Sequence, residues 1–281
     1  MLKMETDLPT GTFKVRGALW ALAHKLEEQS IPHVITASTG NHGAAVAYAA
    51  RLLKVPCTVY LPENPNATKR KRISELGATI VERGSDLTEA AQHGRQSASA
   101  DGAYFLDDAT DPDLPAGPAT IACEIVEQDP TIEMIVVPVG DTALIRGIAT
   151  ATYFLRPDIC VVGVQSASVP GYHAAWQADQ IVSTISNPTI ADGLASQVPV
   201  SSNVSEIVNL VDDFVLLSDQ EILRAVKYLI QEERVLSEPA GAAAAAALLH
   251  GKLEPARKSV CALVSGANLS QQVLEATIAL Q

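Results

Sequence analysis

Aromatic side chains are scarce in this sequence: Phe, Tyr and Trp make up 4% of its 281 residues. A core with so few rings must be built from Ala, Val, Leu and Ile, the composition of helices packed on a buried parallel sheet. Hydrophobic residues still reach 47%, ample for one large or two ordinary domains. Cysteine is rare as well. Cys57, Cys123, Cys160 and Cys261 stand far apart in apolar runs, with no Cys-x-x-Cys pair, which points to buried reduced thiols and away from disulfides or zinc.

Positive charge is in deficit, with 20 Lys and Arg against 32 Asp and Glu and a formal net charge of −12. The one basic run, "KRKR" from Lys69 to Arg72, reads as a solvated helix face, and the surrounding negative field excludes nucleic acid as a partner. Long apolar runs are missing too. The longest, "PAGAAAAAALL" from Pro239 to Leu249, is too short to cross a bilayer, and no basic segment followed by an apolar one opens the chain. The sequence therefore reads as cytoplasmic, with no membrane partner.

What is present is a rhythm. Strand-like "HVITAS", "CTVYLP" and "ATIVER" alternate with helix-like "NHGAAVAYAARLLK", "ATKRKRISELG" and "DLTEAAQHGRQSASA". Alternation of this kind predicts right-handed crossovers and a parallel sheet. A Pro, Gly and Asp-rich stretch, Asp107 to Thr120, marks a domain crossing. The alternation then resumes with "TIACEIVEQ", "EMIVVPVG", "ALIRGIATATYFL" and "ICVVGVQS". A looser region, Pro170 to Val204, precedes "DFVLLS", the helix "DQEILRAVKYLIQEE", the alanine-rich helix and the strand "SVCALVSGAN". Two interleaved α/β domains fit this order; a repeat array does not.

Several short stretches carry chemistry. In "PTGTFKVRGALWAL", Lys14 follows a tight turn and opens a helix, where a positive field disfavours the charged amine and suits it to Schiff-base formation. Most lysines so placed are merely solvated. "ASTGNHGAAVAYAA" lies where a strand ends and a helix begins, a position that exposes backbone N–H groups to an anion; His42 there reads first as a helix cap. "VVPVGDTALIRGIA" repeats that arrangement: Gly140 permits the turn, and the N–H groups of Asp141, Thr142, Ala143 and Leu144 form an anion cradle. Asp141 also suits an N-cap, although its charge opposes a phosphate unless it points away. Glu238, before Pro239, fits a helix start, and "ALVSGANLS" is a strand running into a turn at Ser265.

Taken in order, these motifs resemble the fold-type II pyridoxal phosphate (PLP) enzymes, in the branch of serine/threonine dehydratases and serine racemases. "TGTFKVRGA", "STGNHGAAVAYAARLL", "VPVGDTALIRGIA", "TIADGLA", "SEPAGAAAAAAL" and "VSGAN" carry the likeness across most of the chain. It implies a tryptophan synthase beta-like α/β fold of two interleaved three-layer domains. A large PLP-binding domain would comprise residues 1–31 and 118–281, and a small mobile one residues 32–117, with PLP in the cleft between them. It also implies roles: Lys14 as the Schiff-base lysine and base at the substrate Cα, Phe13 packed on the pyridine ring, and Asn41 bonded to the ring hydroxyl oxygen. Gly140, Asp141, Thr142, Ala143 and Leu144 would hold the phosphate, with Glu238 and Ser265 at the ring and Ser265 facing its nitrogen. Ser38, Thr39, Gly40 and His42 would hold the substrate carboxylate, the last two through N–H groups.

The implied reaction is β-elimination from a 3-hydroxy amino acid such as L-serine or L-threonine, giving a 2-oxo acid and ammonia. A neutral serine facing the pyridine nitrogen favours elimination over a long-lived carbanion. Thr39 keeps the hydroxyl that racemases use, so a serine-type racemase is the alternative, and a silent PLP-binding member a third. The likeness also implies a homodimer. Departures are visible: the family carries a longer segment before the lysine motif, its phosphate loop is a run of glycines, and Ala267 replaces a glycine. Gln165 and Gly171 stand where metal-dependent members have carboxylates, so no metal is expected. The chain ends soon after "SGAN", so no feedback regulation by an amino acid is expected.

Overall fold

The computed structural model describes residues 1–253 and 259–280. The chain opens with β1 (Leu2–Met4) and α1 (Lys14–Glu28). It continues through β2 (Val34–Ala37), α2 (Asn41–Leu53), β3 (Cys57–Leu61), α3 (Ala67–Glu75), β4 (Thr79–Glu82), α4 (Leu87–Asp101) and β5 (Tyr104–Phe105). Then come α5 (Ala116–Gln128), β6 (Met134–Pro138), α6 (Ala143–Leu155), β7 (Cys160–Ser166), α7 (Gly171–Ala178) and α8 (Ser201–Leu210). The last elements are β8 (Asp213–Leu217), α9 (Asp219–Tyr228), α10 (Pro239–Leu249), β9 (Val260–Val264) and α11 (Gln271–Ala279). Two compact units result. The larger comprises Met1–Asp7, Gly11–Phe13 and Pro118–Gln281, and the smaller Leu8–Thr10 and Lys14–Gly117.

The larger unit holds a parallel sheet in the order β1-β9-β6-β7-β8. Alternate residues of its central strands enter different cores: Ile135 and Val137 of β6, with Cys261 and Leu263 of β9, pack in one. Met134, Val136 and Ala262 pack in the other, which also takes in α9 and α10. Successive strand side chains point to opposite faces, so the sheet is covered on both, and "MIVVP" reads as an unbroken apolar run for that reason. α10 is buried from Pro239 to Ala247, and alanine lets it lie close to the sheet.

The smaller unit holds a second parallel sheet, β4-β3-β2-β5. Ile35 and Tyr60 pack against Ala90 and Ala98 of α4. A Cβ on Gly94 would come within 2.9 Å of the Phe105 ring, so this glycine sets how near α4 approaches. Within the basic run, Arg70 pairs with Glu82 and Lys71 with Glu75, while Arg72 turns inward and donates to the Thr10 carbonyl at 2.6 Å.

The expected alternation is present, with differences at short elements. The region expected to be loose holds α7, a 3-10 turn at Asp192–Leu194 and the start of α8. Pro170 and Gly171 read as breakers in sequence, yet Pro170 stands at the N-cap position of α7 without a capping bond of its own, and the Gln165 side chain accepts from the His173 N–H at 3.0 Å. β1 and β5, three and two residues long, are too short to show a period. α9 passes into a π-helical turn, Leu229–Glu233, ended by Arg234 at φ 60°. Cysteine needs one correction: Cys57 and Cys261 are buried and Cys160 half-buried, but Cys123 is exposed, on the outward face of α5. Burial pushes the Cys57 thiol up to about 12 and Cys261 up to about 11, which disfavours the nucleophilic thiolate at both.

Among the described residues no helix is long and apolar enough to cross a membrane. Nor does any group of three or more His, Cys, Asp or Glu among them sit where it could hold a metal ion.

Candidate active site

In the smaller unit the turn Ser38–Gly40 leaves the carboxyl end of β2. The Ser38 N–H donates to the Tyr60 carbonyl at 3.3 Å, and the Ser38 hydroxyl accepts from the Gly40 N–H at 3.2 Å. α2 then begins at Asn41 behind Gly40, which supplies no side-chain cap, whereas Asn66, Asp86, Ser218 and Ser270 cap α3, α4, α9 and α11. α7 and α8 also lack such a cap, so its absence alone assigns nothing. Position adds weight, because ligands of parallel sheets gather at the carboxyl ends of the strands.

His42 does not cap the helix, contrary to the sequence reading. Its ring is buried, with Nε2 3.1 Å from the Leu106 carbonyl and Nδ1 3.3 Å from Asp108. Its backbone N–H stays in the first turn of α2, so only the side-chain reading changes.

Lys14 opens α1, as expected, but its ammonium has a partner that the sequence did not reveal. Nζ donates to the Asp108 carboxylate in a half-buried ion pair. Burial alone would raise the Asp108 carboxyl; the charges of His42 and Lys14 outweigh it and hold the group below the ordinary carboxylate range. Asp108 lies just beyond β5, and β5 pairs with β2, so two adjacent strand ends deliver Asp108 and the Ser38–His42 turn. The signal for Asp108 was weak: one carboxylate in a stretch rich in aspartate.

In the larger unit the β6–α6 turn has little room. A Cβ on Gly140 would fall 2.3 Å from the Gly193 carbonyl oxygen, so "TIADGLA" packs its glycine directly against this turn. Thr142, the N-cap residue of α6, is buried at φ 71°, a left-handed conformation that a β-branched residue adopts only under strain. Its hydroxyl lies near the Tyr172 phenol without a well-formed hydrogen bond to it, and provides no cap to the helix. Asp141 is not the cap either. Its carboxylate accepts from the Ser196 hydroxyl, and the Asn203 amide reaches its carbonyl at 3.5 Å.

That donor set fits a phosphate: a glycine turn, a strained hydroxyl residue, an uncapped helix start through Ala143 and Leu144, and an aspartate already engaged by Ser196. Replacing Thr142 by glycine should relieve the strain and raise stability by about 1 kcal/mol. It should also shrink the added stability that inorganic phosphate confers. Thermal melting with and without phosphate measures both.

Beside this turn, Ser265 is buried at the end of β9, and its carbonyl accepts from the Phe13 N–H at 3.0 Å. Phe13 is half-buried against the core beneath α5 and α6. Glu238 is the N-cap of α10 but makes no capping bond through its side chain; the buried carboxylate instead lies against Gly266, where a Cβ would fall 2.4 Å from Oε1. Gly11 and Gly266 both close this corner, with the Ala267 N–H donating to the Gly11 carbonyl at 2.9 Å.

Comparison with known proteins settles the class. The family described as pyridoxal-phosphate dependent enzyme matches residues 1–266. This chain belongs to the pyridoxal-phosphate dependent enzyme family. Of relatives similar in sequence, an L-threonine ammonia-lyase of Thermotoga maritima is 34% identical over 277 residues, 99% of this chain and 69% of the relative. Of solved structures, maize serine racemase superposes with TM-score 0.91 at 29% identity, covering 99% of this chain and 85% of that one. The processed form of threonine deaminase isoform 2 from Solanum lycopersicum gives TM-score 0.91 and 29% identity, covering 99% of this chain and 77% of the other. Membership makes PLP the cofactor of this chain, and the α/β architecture with two parallel sheets is that of its structural neighbours.

Proposed function

We propose that this protein is an ammonia-lyase that removes water from L-threonine, L-serine or a similar 3-hydroxy amino acid, releasing a 2-oxo acid and ammonia. The observation that carries this reading is Lys14 at the head of α1, within "TGTFK", together with relatives named L-threonine ammonia-lyase and catabolic L-threonine dehydratase. Bound PLP supplies an electron sink that makes the Cα–H of an amino acid acidic.

The chain's own residues do the rest. Lys14 Nζ is both the amine that holds the cofactor and the base that takes the Cα proton. Ser38, Thr39 and the N–H groups of Gly40 and His42 hold the substrate carboxylate at the uncapped start of α2. In the larger unit, Gly140, Asp141, Thr142, Ala143 and Leu144 hold the phosphate, Phe13 and Glu238 border the ring, and Ser265 meets its nitrogen. Asn41 bonds the ring hydroxyl. The reading extends to a cytoplasmic homodimer that takes a small amino acid as its substrate.

Thr39 favours a second reading. It keeps a hydroxyl at the carboxylate turn, and the likeness to maize serine racemase is high, so reprotonation of Cα is the competing outcome. Incubation with L-serine in D2O, followed by proton NMR and chiral chromatography, separates the two. The lyase reading expects pyruvate and ammonia in equal amounts with little D-serine. Deuterated D-serine as the main product, without ammonia, would make it a racemase.

A further inference from the structure

Asp108 contacts two nitrogen-bearing side chains at once. Lys14 Nζ donates to one carboxylate oxygen, and His42 Nδ1 lies 3.3 Å from the other. The far nitrogen of His42 sits 3.1 Å from the Leu106 carbonyl, which only accepts, so Nε2 carries a proton there. Asp108 therefore lies between the Lys14 ammonium and the His42 ring, in contact with both. Neighbouring acids are engaged elsewhere: Asp107 with Arg95, and Asp111 with the Tyr104 hydroxyl.

This arrangement opposes the charge state expected from the helix start alone. The field at the head of α1 disfavours the ammonium, whereas a carboxylate in contact favours it more strongly. We propose that Asp108 is a positioning residue that holds the Lys14 amine charged and sequestered in the cofactor-free protein, so that capture of PLP is limited by release of this pair. His42 shares the carboxylate and weakens its hold on Lys14. The inference rests on the reading of Lys14 as the PLP-binding lysine. Capture requires the neutral amine: the ammonium gives one proton to solvent, Nζ bonds to the aldehyde carbon, and the aldehyde oxygen leaves as water. The depressed Asp108 carboxyl is consistent with this, since it stays ionised at neutral pH.

The test uses full-length protein freed of cofactor, mixed with PLP at neutral pH. Growth of the visible band is followed by borohydride reduction and peptide mapping. Asp108→Asn should capture PLP about tenfold faster, because each pKa unit by which the amine is released from its partner raises the neutral fraction tenfold. Asp108→Glu, which keeps the carboxylate, should stay near the wild-type rate. His42→Gln should be slower, since the carboxylate is then left to Lys14 alone; if Asp108→Asn does not fold, Asp108→Ser, which removes the same carboxylate, decides the matter by its faster capture.

Damage to the fold would slow capture in every variant, so the faster rate is the discriminating sign. Capture by Asp108→Asn at or below the wild-type rate, or by His42→Gln at or above it, overturns the inference. Failure of the underlying reading looks different: the wild type itself would then yield no reduced adduct at Lys14.

Discussion

Lys14→Ala should yield a folded protein that forms a 2-oxo acid from L-threonine roughly 10²- to 10⁴-fold more slowly than wild type, the range spanned by loss of a positioned base. The side chain fills two roles in the proposed chemistry, holding the cofactor and taking the Cα proton, and alanine does neither. Removal also leaves the Asp108 carboxylate with the His42 ring beside it but without the ammonium, a loss of about 1–3 kcal/mol for an under-satisfied, partly buried charge. The variant should therefore melt earlier, without unfolding at room temperature. Activity and circular dichroism on the same preparation distinguish lost chemistry from lost structure. An unchanged rate would remove Lys14 from the reaction altogether.

Gly140→Ala should be the most damaging single-methyl change in the larger unit's candidate site. The added Cβ would fall 2.3 Å from the Gly193 carbonyl oxygen, and backbone lies on both sides of that contact, so no flexible side chain can give way. Overpacking of this kind costs about 1–3 kcal/mol in stability. The same displacement misaligns the N–H groups at the start of α6. PLP affinity should therefore fall at least about tenfold, equivalent to 1.4 kcal/mol. Titration of the cofactor by visible absorbance, with a melting curve as control, checks both. A variant that binds PLP as wild type does would show that the β6–α6 turn is not the phosphate cradle.

Much of this was legible in the sequence, for identifiable reasons. β6 announced itself as "MIVVP" because both faces of its sheet are covered. Lys14, the Ser38–His42 turn and Gly140–Leu144 stood out because a glycine or small polar residue between strand and helix is a local feature, visible over a few positions. What stayed hidden depends on contacts between distant positions. Asp108 meets a lysine 94 residues earlier, and nothing in "FLDDATD" tells which of its acids does so. His42 looked like a cap because capping is a local habit; its actual partners, Leu106 and Asp108, arrive through the β2–β5 pairing. The tight contact of Gly193 with Gly140 likewise joins motifs that the sequence could only place in order. α7 was missed because a proline and a glycine open it, residues that look like an ending.

The central claim is that Lys14 holds PLP and serves elimination from a hydroxy amino acid. The most direct measurement mixes PLP-loaded protein with L-threonine and follows the visible spectrum, 2-oxo acid and ammonia together. The account predicts a band that depends on Lys14, changes when L-threonine is added, and is followed by equal amounts of 2-oxo acid and ammonia. A spectrum equal to that of free PLP in both wild type and Lys14→Ala, with neither product formed, would contradict it.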